Sequence, residues 1–101
     1  MENKIINIQE ILALSCQILE IDSDLISSPS RLGPISEARC LIAHILMDEL
    51  KVDAKEISKL FGGRSVTQVQ YLAASGRKKV KMNDEIWLKK AVIMRAIKEN
   101  D

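Results

Sequence analysis

The chain has 101 residues, 47% of them apolar, and its 15 Lys/Arg against 14 Asp/Glu leave a formal charge of +1. That composition fits one domain with a small core and excludes a disordered chain. No run approaches the roughly 18 apolar residues a membrane span needs. Cys16 and Cys40 stand apart and His44 is the one histidine, so a clustered metal site is excluded and both cysteines are expected to be small core residues in a reducing compartment.

The elements follow from apolar spacing. No basic-then-apolar leader opens the chain, so the expectation is a cytosolic protein. A first helix is predicted from about Ile8 to Glu20, with Asn7 as N-cap and Glu10 in its first turn. Its stripe is Ile8, Ile11, Leu12, Cys16 and Leu19. A short helical turn starting at Asp22 or Ser23 carries Leu25 and Ile26. Residues 27–34, rich in Ser, Pro and Gly, read as a loop with Arg31 at its middle, where Pro29 and Pro34 interrupt any helix. Residues 36–51 carry the strongest period, Ala38, Leu41, Ile42, Ile45, Leu46 and Leu50, and form the expected central helix. His44 falls beside that stripe, at a surface or half-buried place.

Ile57, Leu60 and Phe61 give a short helix over residues 54–61, which Gly62-Gly63 ends, since glycine takes the left-handed conformation a helix end often needs. Ser65 and Gln68 then have the spacing of a capping box. Val66, Val69, Leu72 and Ala73 continue a second helix to about Gly76 or a little beyond. Two helices joined by a glycine turn make a helix-turn-helix, whose second helix enters the DNA major groove. Asn83 caps a last helix over residues 84–99, with Ile86, Ala91, Ile93, Met94 and Ile97 inward and Trp87 as its anchor to the core. No alternation of the strand type appears.

Charge is unevenly spread. Residues 1–30 hold one Lys against five acids, and residues 31–81 hold ten Lys/Arg against five acids. Between residues 62 and 81 stand Arg64, Arg77, Lys78, Lys79 and Lys81 with no acid. Such a basic segment is the footprint a polyphosphate partner requires. Cations at a helix C-terminus also complement its dipole, which accounts for Arg77 to Lys79 but not for Arg64 at a helix start.

Glu56-Ile57, then three residues to Phe61-Gly62-Gly63-Arg64 and a capped helix, resembles the C-terminal DNA-binding domain (domain IV) of the bacterial chromosomal replication initiator DnaA. That family shows Glu-Ile, three residues, then Phe-Gly-Gly-Arg-Asp-His-Thr-Thr-Val. The likeness extends through Asn7-Ile8-Gln9, Asp24-Leu25-Ile26-Ser27, the Arg31 loop, Arg39 and Asp48-Glu49-Leu50, over roughly residues 7–80. It implies an all-α fold, a Trp-repressor-like bundle of about six helices containing the helix-turn-helix. It also implies sequence-specific binding of double-stranded DNA. Arg31 matches the loop arginine that reaches the minor groove. Arg39 and Arg64 match arginines that face DNA backbone or bases, and Thr67 matches a threonine of the reading turn. The expected DNA-binding set is Arg31, Arg39, Arg64, Ser65, Val66, Thr67, Gln68, Arg77, Lys78 and Lys79.

Two departures shape the expectation. The family's Asp-His-Thr-Thr is here Ser65-Val66-Thr67-Gln68, so the family's usual target is not read the same way. Gln68 has the chemistry to bond adenine N6 and N7, and Val66 or the Thr67 methyl to meet a thymine methyl. Pro29, Gly33 and Pro34 thin the basic loop, which implies fewer phosphate contacts. Gly62-Gly63-Arg64-Ser65 lacks the spacing and lysine of a phosphate-binding loop, so no ATPase module is expected. The expectation is a bacterial cytoplasmic, nucleoid-associated replication or transcription regulator. It has no enzymatic activity, no cofactor, no metal and no small-molecule substrate. The alternative is an interaction module on the same scaffold with DNA binding weakened or lost. Its partner would be another replication or regulatory protein, or a second copy paired through last-helix residues such as Val92.

Overall fold

The computed structural model describes residues 7–99. All regular structure among them is helical: α1 (Ile8–Leu19), α2 (Gly33–His44), α3 (Ala54–Leu60), α4 (Val66–Met82) and α5 (Asp84–Glu99). The chain is thus all-α, with five α-helices rather than about six. The expected short helical turn is a single 3-10 turn at Ser23–Leu25, with the Asp22 carboxylate accepting from the Asp24 N–H.

Side chains that satisfy terminal N–H groups start most of these helices. Asn7 and Glu10 form a capping box on α1, and Ser65 and Gln68 form another on α4. Asp53 caps α3, and Asn83 Oδ1 accepts from the N–H groups of Glu85 and Ile86 at the head of α5. Each such cap contributes about 1 kcal/mol. The start of α2 differs from expectation. Gly33 and Pro34 lie inside its first turn, because proline's missing N–H has no intrahelical acceptor there in any case.

After His44 the helix widens into a π turn at Ile45–Glu49, closed by the Leu50 N–H donating to the Ile45 carbonyl. The wider turn sends consecutive acids to different neighbours: Asp48 pairs with Arg77 of α4 and Glu49 with Lys90 of α5.

The core joins Ile11, Leu12 and Cys16 of α1 to Ala38, Leu41 and Ile42 of α2, with Ile57, Phe61, Val69, Ala73 and Ile93 closing it. Cys40 and Cys16 are both buried and free. Burial, reinforced by Asp22, pushes the Cys16 thiol up to about 11, so it stays protonated and inert at neutral pH.

α4 packs directly against the backbone of α2. Gly76, expected near a helix end, is buried in the middle of α4. A Cβ there would overlap the Cys40 carbonyl oxygen of α2. Glycine at this place serves helix packing, and α4 runs on to Met82. On α5, Ile86, Ile93 and Ile97 face inward, whereas Ala91 and Trp87 are exposed. Trp87 is therefore not the expected anchor.

Candidate functional site

The site is built around the joint between α3 and α4. Gly62 and Gly63 both have positive φ, +77° and +82°. The Gly63 N–H donates to the Ser58 carbonyl, and the Ser58 hydroxyl donates to the Arg64 carbonyl. Gly62 also lies against the 27–34 loop, where a Cβ would overlap the Ser27 carbonyl oxygen. Only glycine satisfies both the φ and the approach.

Two arginines fix that loop. Arg39 is 4% exposed. Its Nε donates to the Ile26 carbonyl at 2.9 Å and its Nη1 to the Ser30 carbonyl at 2.6 Å. Its Nη2 donates to the carbonyls of Leu25 at 2.8 Å and Ser28 at 2.7 Å. Arg64 is half-buried and donates to the carbonyls of Phe61 at 2.6 Å, Ile26 at 3.3 Å and Ser28 at 3.0 Å. Burial, and then the charge of Arg64, lowers the Arg39 pKa. Neither guanidinium is turned outward as expected. Both donate to backbone carbonyls of the segment before and within the Arg31 loop, and so hold that loop beside the start of α4. Arg31 itself is exposed.

Ser65, Thr67 and Gln68 are exposed and Val66 is half-buried. The Gln68 Oε1 accepts from the Ser65 N–H at 3.0 Å, and the Ser65 Oγ accepts from the Gln68 N–H at 3.1 Å. The capping box therefore already engages one of the two lone pairs on the Gln68 oxygen. Because α4 continues through Gly76, its outer stripe is longer than expected: Thr67, Gln70, Tyr71, Ala74, Lys78 and Lys81, all exposed. Tyr71 is 74% exposed. It sits one turn after Thr67, a spacing legible in the sequence once the helix is allowed to run on.

The expected cations divide by geometry. Arg77 makes a bidentate pair with Asp48, Nε to Oδ2 at 2.9 Å and Nη2 to Oδ1 at 3.1 Å. Arg77 holds the Asp48 carboxyl below its usual range, and the same contact raises the Arg77 pKa. Arg77 is thus turned towards α2's π turn. Lys78, Lys79 and Lys81 have no carboxylate partner among the described residues; Lys78 and Lys81 are exposed and Lys79 is half-buried.

A polar chain runs from buried His44 to the surface through half-buried Asp48 and Lys90 and exposed Glu49. His44 is 4% exposed rather than at the surface. Its Nδ1 lies 2.6 Å from Asp48 Oδ2 and its Nε2 lies 3.0 Å from Lys90 Nζ. An ammonium only donates, so Nε2 accepts and Nδ1 carries the proton to Asp48. Lys90 also donates to Glu49 Oε2 at 2.6 Å, which holds the Glu49 carboxyl below its usual range. Both ring nitrogens are engaged, and His44 ties α2, α4 and α5 together.

No group of three or more His, Cys, Asp or Glu among the described residues could hold a metal ion, and none of their helices is long and apolar enough to cross a membrane. No protein-family model matches this chain, and no curated protein matches it.

Proposed function

We propose that this chain binds double-stranded DNA, with α3, the glycine turn and α4 acting as a helix-turn-helix. The observation that carries the reading is the outer stripe of α4. It runs from Thr67 to Lys81 without one acidic residue, carries Lys78 and Lys81 with no carboxylate partner among the described residues, and begins beside the loop that presents Arg31. An α-helix fits the major groove of B-DNA, and 17 residues of α4 give about 25 Å of helix for it. Thr67, Gln70, Tyr71 and Ala74 supply polar and apolar groups for base edges. Lys78, Lys81 and Arg31 supply charge for phosphates. The resemblance to DnaA domain IV supports the same reading, and with it a role in replication or transcription regulation in a bacterial cytoplasm. Arg39 and Arg64 take no direct part in it; they position the loop.

The test is retention on random-sequence duplex at about 50 mM and about 200 mM salt. The native chain should bind at the lower salt and weaken steeply at the higher. A Lys78→Ala/Lys81→Ala variant should reduce the log–log salt slope by about 2, since each phosphate contact contributes about 1. Equal binding by both proteins would overturn the proposal. No binding by the native chain would leave the interaction-module reading, which the exposed face of α5 favours.

A further inference from the structure

The outward side of α5 carries a pattern with no role in the DNA reading. Ile86, Ile93 and Ile97 bury one side of the helix. On the opposite side Glu85, Leu88, Val92 and Arg95 follow one another at steps of three, four and three residues, and all four are exposed. Leu88 is 55% exposed and Val92 51%. Steps of three and four are those of a two-helix seam. The order along the seam is acid, apolar, apolar, base.

That order is self-complementary in one orientation. In a parallel pair Glu85 would face Glu85 and Arg95 would face Arg95, with like charges opposed. In an antiparallel pair related by a two-fold axis near residue 90, Leu88 of each copy meets Val92 of the other, and Glu85 of each meets Arg95 of the other. Two apolar contacts are then flanked by two ion pairs, as an isologous interface requires. The charges are available. Glu85 has no ion pair among the described residues, and Arg95 holds only a loose contact of 3.7 Å with Glu99 on its own helix.

We propose that the outward face of α5 is a dimer interface, on which a second copy of this chain packs antiparallel through Leu88 and Val92 with Glu85–Arg95 pairs at both ends. One helix pair is a small interface, so the dimer is weak and forms at high concentration. The proposal does not rest on the DNA reading, because α4 and the Arg31 loop are not part of the seam.

Sedimentation velocity on the full chain from about 5 µM to about 500 µM tests it, the range suited to a small interface. The expected result is a concentration-dependent shift from monomer to dimer. Val92→Glu should abolish the shift. Glu85→Arg should weaken association at least tenfold, and Glu85→Arg/Arg95→Glu should restore it. Helicity by circular dichroism, unchanged in all variants, keeps a folding defect apart from a loss of pairing. A monomer at every concentration would overturn the proposal, as would a dimer indifferent to Val92→Glu. Failure of the double charge reversal to restore association would overturn the antiparallel register.

Discussion

Arg39 and Arg64, 25 positions apart, donate to the same two carbonyls, those of Ile26 and Ser28. Two guanidinium groups share one loop with no carboxylate among their hydrogen-bond partners. The repulsion is offset by the carbonyls, which carry partial negative charge and, in so compact a loop, lack N–H donors of their own. The loop's own serines turn it locally, and α2 and the glycine turn clamp it from outside through these two arginines.

Replacing Arg39 should be severe. Arg39→Met keeps most of the volume but removes the donor to the Ser30 carbonyl and leaves those of Ile26 and Ser28 to Arg64 alone. Each buried unsatisfied group costs about 1–3 kcal/mol, moderated where water reaches the loop. A total loss of about 3 kcal/mol is expected, read from urea unfolding midpoints. Arg39→Lys should rescue little, because an ammonium cannot reproduce the planar fork.

Gly76→Ala sets two effects against each other. Alanine favours the helix by about 1 kcal/mol over glycine. The new methyl, however, would overlap the Cys40 carbonyl of α2, and its other neighbour is the His44 Cβ. Backbone does not yield as a side-chain tip does, and overpacking of this kind costs about 1–3 kcal/mol or more. Thermal unfolding should show net destabilisation, whereas Ala74→Gly on the exposed side should cost only its propensity.

Acid should loosen the contacts that tie α4 and α5 to the π turn. Arg77 depresses the Asp48 carboxyl and Lys90 depresses that of Glu49. A depressed carboxylate stabilises the fold above its unfolded pKa of about 4, and that contribution is lost as pH falls through the lower folded value. Asp48→Asn should thus destabilise at pH 7, with the native and variant unfolding curves converging well below pH 4.

Base reading and phosphate binding should separate on α4. Gln70→Ala and Tyr71→Ala remove no charge, so they should change which sequences a selected DNA pool yields while leaving the salt slope intact. Lys78→Ala should do the reverse. The same outcome for both kinds of variant in the selection and the salt titration would show that the stripe is not divided this way.

Local signals determined much of this fold. The Ser65–Gln68 and Asn7–Glu10 boxes, the glycine turn after Phe61 and the period of the central helix involve residues within four positions of one another, so short-range chemistry was enough to fix them. Other features depended on what approaches from elsewhere in the chain. Gly76 reads as lying near a helix end until α2's backbone is found against it, and Arg39 and Arg64 read as outward charges until the loop carbonyls turn them in. His44 reads as marginal until Asp48 and Lys90 close on both nitrogens. Trp87 reads as an anchor until α5 settles on its isoleucines and leaves the indole outside. Hydrogen-bond satisfaction and close packing are properties of the assembled chain, and only the tertiary structure could decide them.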